Sequence, residues 1–488
     1  MISFIISLLA LVLGYIIYGT FVNKVFGPDP ARLTPAISKA DGVDFIPMPT
    51  WKVFMIQFLN IAGTGPIFGA IMGAKFGPAA YLWIVFGCIF AGAVHDFLSG
   101  MVSLRNDGAG LPEIIGKYLG ANTRKVMLAF SVLLLVMVGA VFVYSPAVIL
   151  KDMAGNGTNT AMMIWVGIIF IYYIIATMLP IDKIIGKIYP VFAVALIFMA
   201  IALMIGLFIK WPSIPEFWHG LANRGPSVGV AGQPILPCLF ITIACGAISG
   251  FHATQSPMMA RCLKNETLGR PVFYGAMITE GMVALVWAAI ASYFFFDGGA
   301  AEVGAELSAS APVVVTKIST AWLGVAGGIL AMLGVVAAPI TSGDTALRGA
   351  RLIVADALHM EQKTNRSRLI VCIPIFVIAA LILWYNIADA NGFNTIWKYF
   401  GWANQSLSIF TFWALTVFLK RERKGHFYII TLIPAMFMTT ICTTYIFIDK
   451  TCLGLDPKFS LPVALGTALI SFVLFLVWKS KEDKKTLS

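Results

Sequence analysis

Apolar residues run along this chain in stretches of about twenty, parted by shorter polar segments that carry most of the charge. The stretches lie near 2–23, 51–74, 79–103, 126–150, 161–181, 187–210, 234–260, 271–295, 322–344, 367–388, 395–419, 427–448 and 460–479. Twenty apolar residues is the length of a helix that crosses a bilayer. Lipid offers the backbone no hydrogen-bond partners, so such segments must be helical. The pattern predicts an all-α polytopic membrane protein with about thirteen transmembrane spans.

Two of these stretches cannot be regular helices. The second contains Asn60-Ile-Ala-Gly-Thr-Gly-Pro-Ile-Phe-Gly69, with three glycines and a proline in ten residues. A mid-helix glycine costs roughly 1 kcal/mol and a proline roughly 3 kcal/mol. The seventh contains Ile243-Ala-Cys-Gly-Ala-Ile-Ser-Gly-Phe-His-Ala-Thr-Gln-Ser-Pro257. Unwound backbone at membrane depth is tolerated only where it is buried in protein or lines a cavity. Paired interrupted helices in two halves of a chain point to a transporter's binding site.

The polar segments set the expected topology. Of 34 Lys and Arg residues, 26 follow odd-numbered spans and eight follow even-numbered ones. By the positive-inside rule this places the N-terminus outside and the C-terminus in the cytoplasm. The two breaks are five spans apart, so their helices run in opposite directions, as an inverted repeat of five plus five helices requires. The expected organisation is a peripheral helix (1–25), a first repeat (50–210, spans 2–6), a second repeat (234–419, spans 7–11), peripheral C-terminal helices (427–479) and a solvated cytoplasmic tail (480–488). The loop 211–233, rich in Pro, Gly and Trp, reads as an ordered outer cap.

Composition agrees. Hydrophobic residues make up 59% and charged residues 12%, with mean hydropathy +0.88, against about 25% charged in a soluble domain. The net charge of +11 is explained by the loop bias, not by nucleic acid. Seven cysteines without a Cys-x-x-Cys pair read as buried free thiols. The first 25 residues lack a basic leader and a small-x-small cleavage site and read as a retained helix.

Chemistry-bearing residues cluster around the breaks. The half-helix that starts near Pro66 would present free N–H groups and a positive dipole end to a carboxylate. Asn60, Gly63, Thr64 and Gly65 are therefore substrate-site candidates, with Ser249, His252 and Gln255 of the second break forming the other wall. Packing alone could also explain the first kink, and a carbonyl-bonded structural histidine could explain His252. His95 and Asp96 in span 3 and Glu280 in span 8 are ionisable groups at membrane depth, candidates for proton coupling or gating. Adjacent helix positions point about 100° apart, so His95 and Asp96 are expected to need separate partners. Glu280 could equally serve as a bond between helices. In span 9, Asp344 and Arg348 are spaced to pair at i and i+4. Thr341 and Ser342 offer hydroxyls to a small cation, or to their own helix backbone. There is no Gly-x4-Gly-Lys-Ser/Thr loop, no His-x-x-x-His pair and no potassium-filter sequence.

Gly63-Thr-Gly-Pro-Ile-Phe-Gly69, Gly92-Ala-Val-His-Asp-Phe97 with Ser103-Leu-Arg-Asn-Asp-Gly108, and Gly250-Phe-His-Ala-Thr-Gln-Ser256 resemble the carbon starvation protein A family, and the resemblance covers essentially the whole chain. It implies uptake of peptides or pyruvate across the bacterial inner membrane under nutrient limitation, and a leucine-transporter-like fold. In that fold the unwound first core helix receives the substrate carboxylate. A sodium site would use carbonyls of Leu59, Ala62 and Ala338 with the hydroxyls of Thr341 and Ser342. Proton coupling through His95, Asp96 or His252 is the rival.

The expectation is an ion-coupled symporter for a small carboxylate, a short peptide or pyruvate, driven by Na+ or H+, with no cofactor, no enzymatic activity and no nucleic-acid partner. Its environment is membrane lipid; the sequence does not set its oligomeric state. A passive channel, which would show flux without an ion gradient, and a nutrient sensor, which would bind without accumulating, are the alternatives. Gly65→Val is expected to abolish uptake while leaving the protein folded.

Overall fold

The computed structural model describes residues 1–154, 157–179, 185–230, 232–362, 364–389, 392–423, 425–450 and 452–487. Of the basic residues that set the expected topology, Lys183, Lys363 and Lys424 lie outside them. Among the described residues the chain is helical with no strand. The principal helices are α1 (Ile2–Phe26), the broken pair α2a (Thr50–Ile61) and α2b (Gly65–Ala74), α3 (Ala79–Arg105), α4 (Ala121–Ala154), α5 (Asn159–Met178) and α6 (Ile185–Lys210). There follow the broken pair α7a (Ile235–Thr242) and α7b (Gly250–Ala260), then α8 (Glu266–Phe296), α9 (Ala311–Ala357), α10 (Asn365–Ala388), α11 (Gly392–Glu422), α12 (Ile429–Ile448) and α13 (Pro457–Leu487).

Nine of the described helices are long and apolar enough to cross a membrane, and the bent pair α2a/α2b, with 52° between its halves, makes a tenth. The chain is a multi-pass membrane protein. The other predicted stretches, 234–260, 322–344 and 395–419, are helical as α7a/α7b, part of α9 and α11. The predicted start of span 9 falls beside Gly324, whose φ of 63° and ψ of −162° break α9.

Both Gly/Pro-rich stretches are broken where the sequence places them. α2a stops at Ile61, and Ala62 to Thr64 are non-helical. α7a stops at Thr242, and the turn through Gly246 adopts φ +90°, which favours glycine. The two breaks cross each other in van der Waals contact. A Cβ at Gly65 would lie 2.3 Å from Cys245 Sγ, and one at Gly69 2.9 Å from the Thr242 carbonyl oxygen. Small residues let membrane helices approach this closely.

α9 is held against α5 and α6 by tyrosines. Tyr173 donates to the Pro339 carbonyl at 3.2 Å, and Tyr189 to the Thr341 carbonyl at 3.0 Å. The stretch 211–230 is tied to the start of α1: Glu216 accepts the Met1 amino group and the amides of Ile2 (2.9 Å) and Ser3 (2.6 Å). The lysine-rich end continues α13 to Leu487, with Glu482 and Asp483 paired to Arg421 (2.9 Å) and Lys420 (2.6 Å) of α11. Six cysteines are buried free thiols and Cys452 is exposed.

Candidate transport site

At the first break, the Thr64 carbonyl accepts the amides of Ile67 (3.2 Å) and Phe68 (2.7 Å), and Pro66 has no N–H. Among the described residues the amides of Thr64 and Gly65 are left without a bond. Asn60 and Thr64 flank the break, both fully buried, and their side-chain polar atoms have no partner among the described residues. Such atoms are costly in lipid unless a ligand or water meets them. No space is open at Gly65 itself, because Cys245 fills the place of a side chain there. Gly65→Val is therefore corrected as a test of binding: overpacking of this kind costs about 1–3 kcal/mol and moves the second break as well. A lower melting temperature for that variant, measured beside its uptake, is the expected result.

The second break is satisfied from α11. Asn404 Oδ1 accepts the Ser249 hydroxyl at 3.0 Å and the Phe251 amide at 2.6 Å, and Gln405 donates to the Phe240 carbonyl at 3.0 Å. Trp83 of α3 donates to the Ile243 carbonyl at 2.9 Å. Sequence reasoning missed Asn404 and Gln405. The run Asn404-Gln405-Ser406 inside an apolar stretch is the signal that could have found them.

The three residues expected to form one substrate wall face different neighbours. Ser249 turns to Asn404, His252 to Asp96, and Gln255 to Thr254 Oγ1 at 2.9 Å. Ser249 thus meets α11 and His252 meets α3, while Gln255 bonds within α7b itself.

The ionisable candidates converge. Asp96 Oδ1 lies 2.9 Å from His95 Nδ1, and Asp96 Oδ2 lies 2.8 Å from His252 Nδ1. The other nitrogen of His252 is 3.7 Å from Glu280 Oε2. All four side chains are fully buried. The chain of contacts joins α3, α7b and α8. This corrects the expectation that His95 and Asp96 need separate partners. Neighbouring Cα atoms are only about 3.8 Å apart, so an imidazole and a carboxylate that leave the helix in different directions still meet at their tips. A π-helical turn, Cys88–Gly92, precedes them, a distortion often found at functional sites.

The cation candidates divide. Ser342 reaches across to α2a and donates to the Leu59 carbonyl at 3.1 Å. Thr341 bonds its own helix instead, at 3.0 Å to the Ala337 carbonyl and 2.8 Å to that of Ala338. Ala62 lies at the break, three residues after Leu59, and its amide donates to the Phe58 carbonyl at 2.8 Å. Asp344 and Arg348 do not pair. Asp344 accepts Tyr189 at 2.6 Å and Tyr172 at 3.5 Å, while Arg348 turns to Asp44 and to the carbonyls of Ala176 (2.5 Å) and Leu179 (2.8 Å).

The family model described as "Carbon starvation protein CstA" matches residues 1–167, 148–325 and 297–445. The chain belongs to this family. A Campylobacter jejuni relative named "Peptide transporter CstA" is 27% identical, the match covering 90% of this chain and 78% of that one. The Escherichia coli "Pyruvate/proton symporter BtsT" is 27% identical over 56% of this chain and 46% of its own. An uncharacterised membrane protein of Haemophilus influenzae is 44% identical over 60% of this chain and 91% of its own. Solved transporters share the leucine-transporter-like fold. MhsT in complex with L-phenylalanine matches 86% of this chain and 97% of its own with TM-score 0.55 at 15% identity. An Eremococcus coleocola manganese transporter mutant matches 92% of this chain and 99% of its own with TM-score 0.54 at 15% identity. At these identities the likeness concerns fold. The characterised relatives are transporters, not enzymes.

Proposed function

We propose that this CstA-family transporter is an ion-coupled symporter that takes up a small carboxylate, pyruvate or a short peptide, across the bacterial inner membrane during carbon starvation. The observation that carries the reading is the buried chain His95–Asp96–His252–Glu280, which ties the broken α7 to α3 and α8. Ionisable groups at membrane depth mark ion pathways, and histidine is the side chain best placed to exchange a proton near neutral pH. The relative named a pyruvate/proton symporter agrees with proton coupling. In this reading thirteen spans cross the membrane, the N-terminus outside and the C-terminus in the cytoplasm, and α2–α6 and α7–α11 form inverted repeats that rock about the crossed breaks. The amides of Thr64 and Gly65 would receive the substrate carboxylate once Cys245 moves away, with Asn60 and Thr64 completing the site.

Sodium coupling is the second reading, favoured by the Ser342–Leu59 contact between α9 and α2a. Purified protein in liposomes tests both. Labelled pyruvate and a labelled dipeptide are each offered under a proton gradient, a sodium gradient and neither. Accumulation under the proton gradient alone is the expected result. Equilibration under every condition would make the protein a facilitator and remove the coupling roles. Under sodium coupling, Ser342→Ala should raise the sodium concentration for half-maximal uptake about tenfold, and Thr341→Ala less, since its hydroxyl already faces its own helix.

A further inference from the structure

We propose that Cys245, His252 and Glu280 form a binding site for a divalent transition-metal ion of the zinc class, at the point where the break in α7 meets α8. The Cys245 sulfur, one ring nitrogen of His252 and a Glu280 carboxylate oxygen lie within 4.8 Å of one another, and all three residues are buried. A thiolate, an imidazole and a carboxylate are the donors that zinc and its late first-row neighbours select. The inference goes beyond the transport reading; it shares His252 and Glu280 with the proposed coupling chain and is tested by metal binding alone.

The spacing favours a metal over a simple ion pair. His252 Nε2 stands 3.7 Å from Glu280 Oε2, and neither that nitrogen nor either Glu280 oxygen has a hydrogen-bond partner of good geometry among the described residues. An imidazolium facing a carboxylate in this dry site would close to hydrogen-bond distance, as His252 Nδ1 and Asp96 do at 2.8 Å. Two ligands held at about 2.0–2.3 Å by one tetrahedral ion lie about 3.3–3.8 Å apart. The gap has the size of a shared ion, not of a bond.

The second nitrogen supports the assignment. A metal-bound histidine donates its other N–H to a carboxylate, which fixes the ring and strengthens the ligand. Asp96 holds His252 Nδ1 in that way, leaving Nε2 as the free ligand atom, 3.7 Å from Glu280 Oε2. Cys245 Sγ now lies 3.6 Å from the Ser249 hydroxyl oxygen. On metal binding the thiol proton is released to solvent and the thiolate becomes the ligand. Three protein ligands leave a fourth position for water or a carboxylate. Cys245 also fills the space beside Gly65, so an ion here would stand next to the amides at the α2 break.

The test uses purified full-length protein carrying Cys452→Ser, which removes the exposed thiol. The protein is stripped with a chelator and titrated with Co2+ alone. The expected result is one Co2+ per chain with a sulfur-to-cobalt absorption band in the near ultraviolet. That band should persist in Cys442→Ser and vanish in Cys245→Ser. Asp96→Asn should keep the band and weaken binding about 10- to 100-fold. No Co2+ bound by the folded protein, or a band unchanged in Cys245→Ser, would overturn the site. If Cys245→Ser fails to fold, X-ray absorption of the Co2+-loaded protein decides instead. One sulfur at about 2.3 Å is expected, and a shell of only nitrogen and oxygen refutes the proposal. Uptake enters none of these readouts, so failure here leaves the symporter reading untouched, and the converse holds.

Discussion

Asp96→Asn should reduce proton-driven accumulation of substrate about 10- to 150-fold while the protein still folds. Asparagine keeps the shape of the side chain but loses its charge and puts an amide NH2 in place of one acceptor oxygen. Asp96 accepts from two imidazoles at 2.9 and 2.8 Å in a fully buried setting. Charge-assisted hydrogen bonds contribute about 1.5–3 kcal/mol each, and about 1.4 kcal/mol is a factor of ten. Losing one such bond therefore gives the range stated. His252→Ala should be at least as severe, because it cuts the link to Glu280. His95→Ala should be milder, because His95 ends the chain against Phe412 and its second nitrogen has no partner among the described residues.

The measurement that separates coupling from folding is a pair of assays on the same liposomes. Accumulation driven by a proton gradient should collapse in Asp96→Asn. Exchange of labelled for unlabelled substrate, with no gradient, should survive to a much larger extent. Loss of both would place Asp96 in substrate binding or in the alternating movement. Wild-type accumulation in a folded variant would remove the cluster from the coupling mechanism.

The fold was legible in the sequence because lipid leaves few options. Apolar length defines where helices run, and the clusters Gly63-Thr-Gly-Pro66 and Gly246 to Gly250 mark where two of them break. The convergence of His95, Asp96, His252 and Glu280 was not legible. Each residue was visible as an expensive group in a span, but which helices abut is decided by packing at places such as Gly65 against Cys245 and Gly250 against the Asn404 backbone. Reasoning from side-chain direction alone separated His95 from Asp96, since it ignored that the imidazole and the carboxylate can still meet at their tips. The same omission paired Asp344 with Arg348. The i,i+4 spacing permits that pair, but Tyr189 and Tyr172 come from α6 and α5 to take the carboxylate, and Asp44 from a distant loop takes the guanidinium. Asn404 and Gln405 went unnoticed for a different reason. Their polar run stands out in an apolar stretch, but two of their three bonds go to backbone of the broken α7, the Phe251 amide and the Phe240 carbonyl, which a residue pattern does not single out.

Asp44→Ala should lower the melting temperature markedly and loosen the arginine-rich end of the bundle. Asp44 lies in the 27–49 loop, 5% exposed, and accepts Arg351 at 3.1 and 3.2 Å, with Arg348 at 3.5 Å. Both guanidinium groups are themselves buried. Removing one partner from a buried ion pair costs about 3–5 kcal/mol, because the remaining charge is left uncompensated. Burial pushes the Asp44 carboxyl up, but the charges of Arg351 and Arg348 outweigh it and hold the group below its usual value. A depressed carboxylate stabilises the fold above its unfolded pKa of about 3.9 and loses that contribution as pH falls through the folded value. The difference in melting temperature between the wild type and Asp44→Ala should thus hold from pH 7 to 5 and shrink below about pH 4. Cys262 reports the opening. It is fully buried, and its carbonyl accepts the Met48 amide of the same loop at 3.1 Å. In a Cys452→Ser background its alkylation should be at least tenfold faster in Asp44→Ala than in the parent. Adding Arg351→Met should restore part of the lost stability, since it removes one stranded charge. If the melting temperature and the alkylation rate of Asp44→Ala match the parent, the ion cluster does not hold this end of the molecule closed.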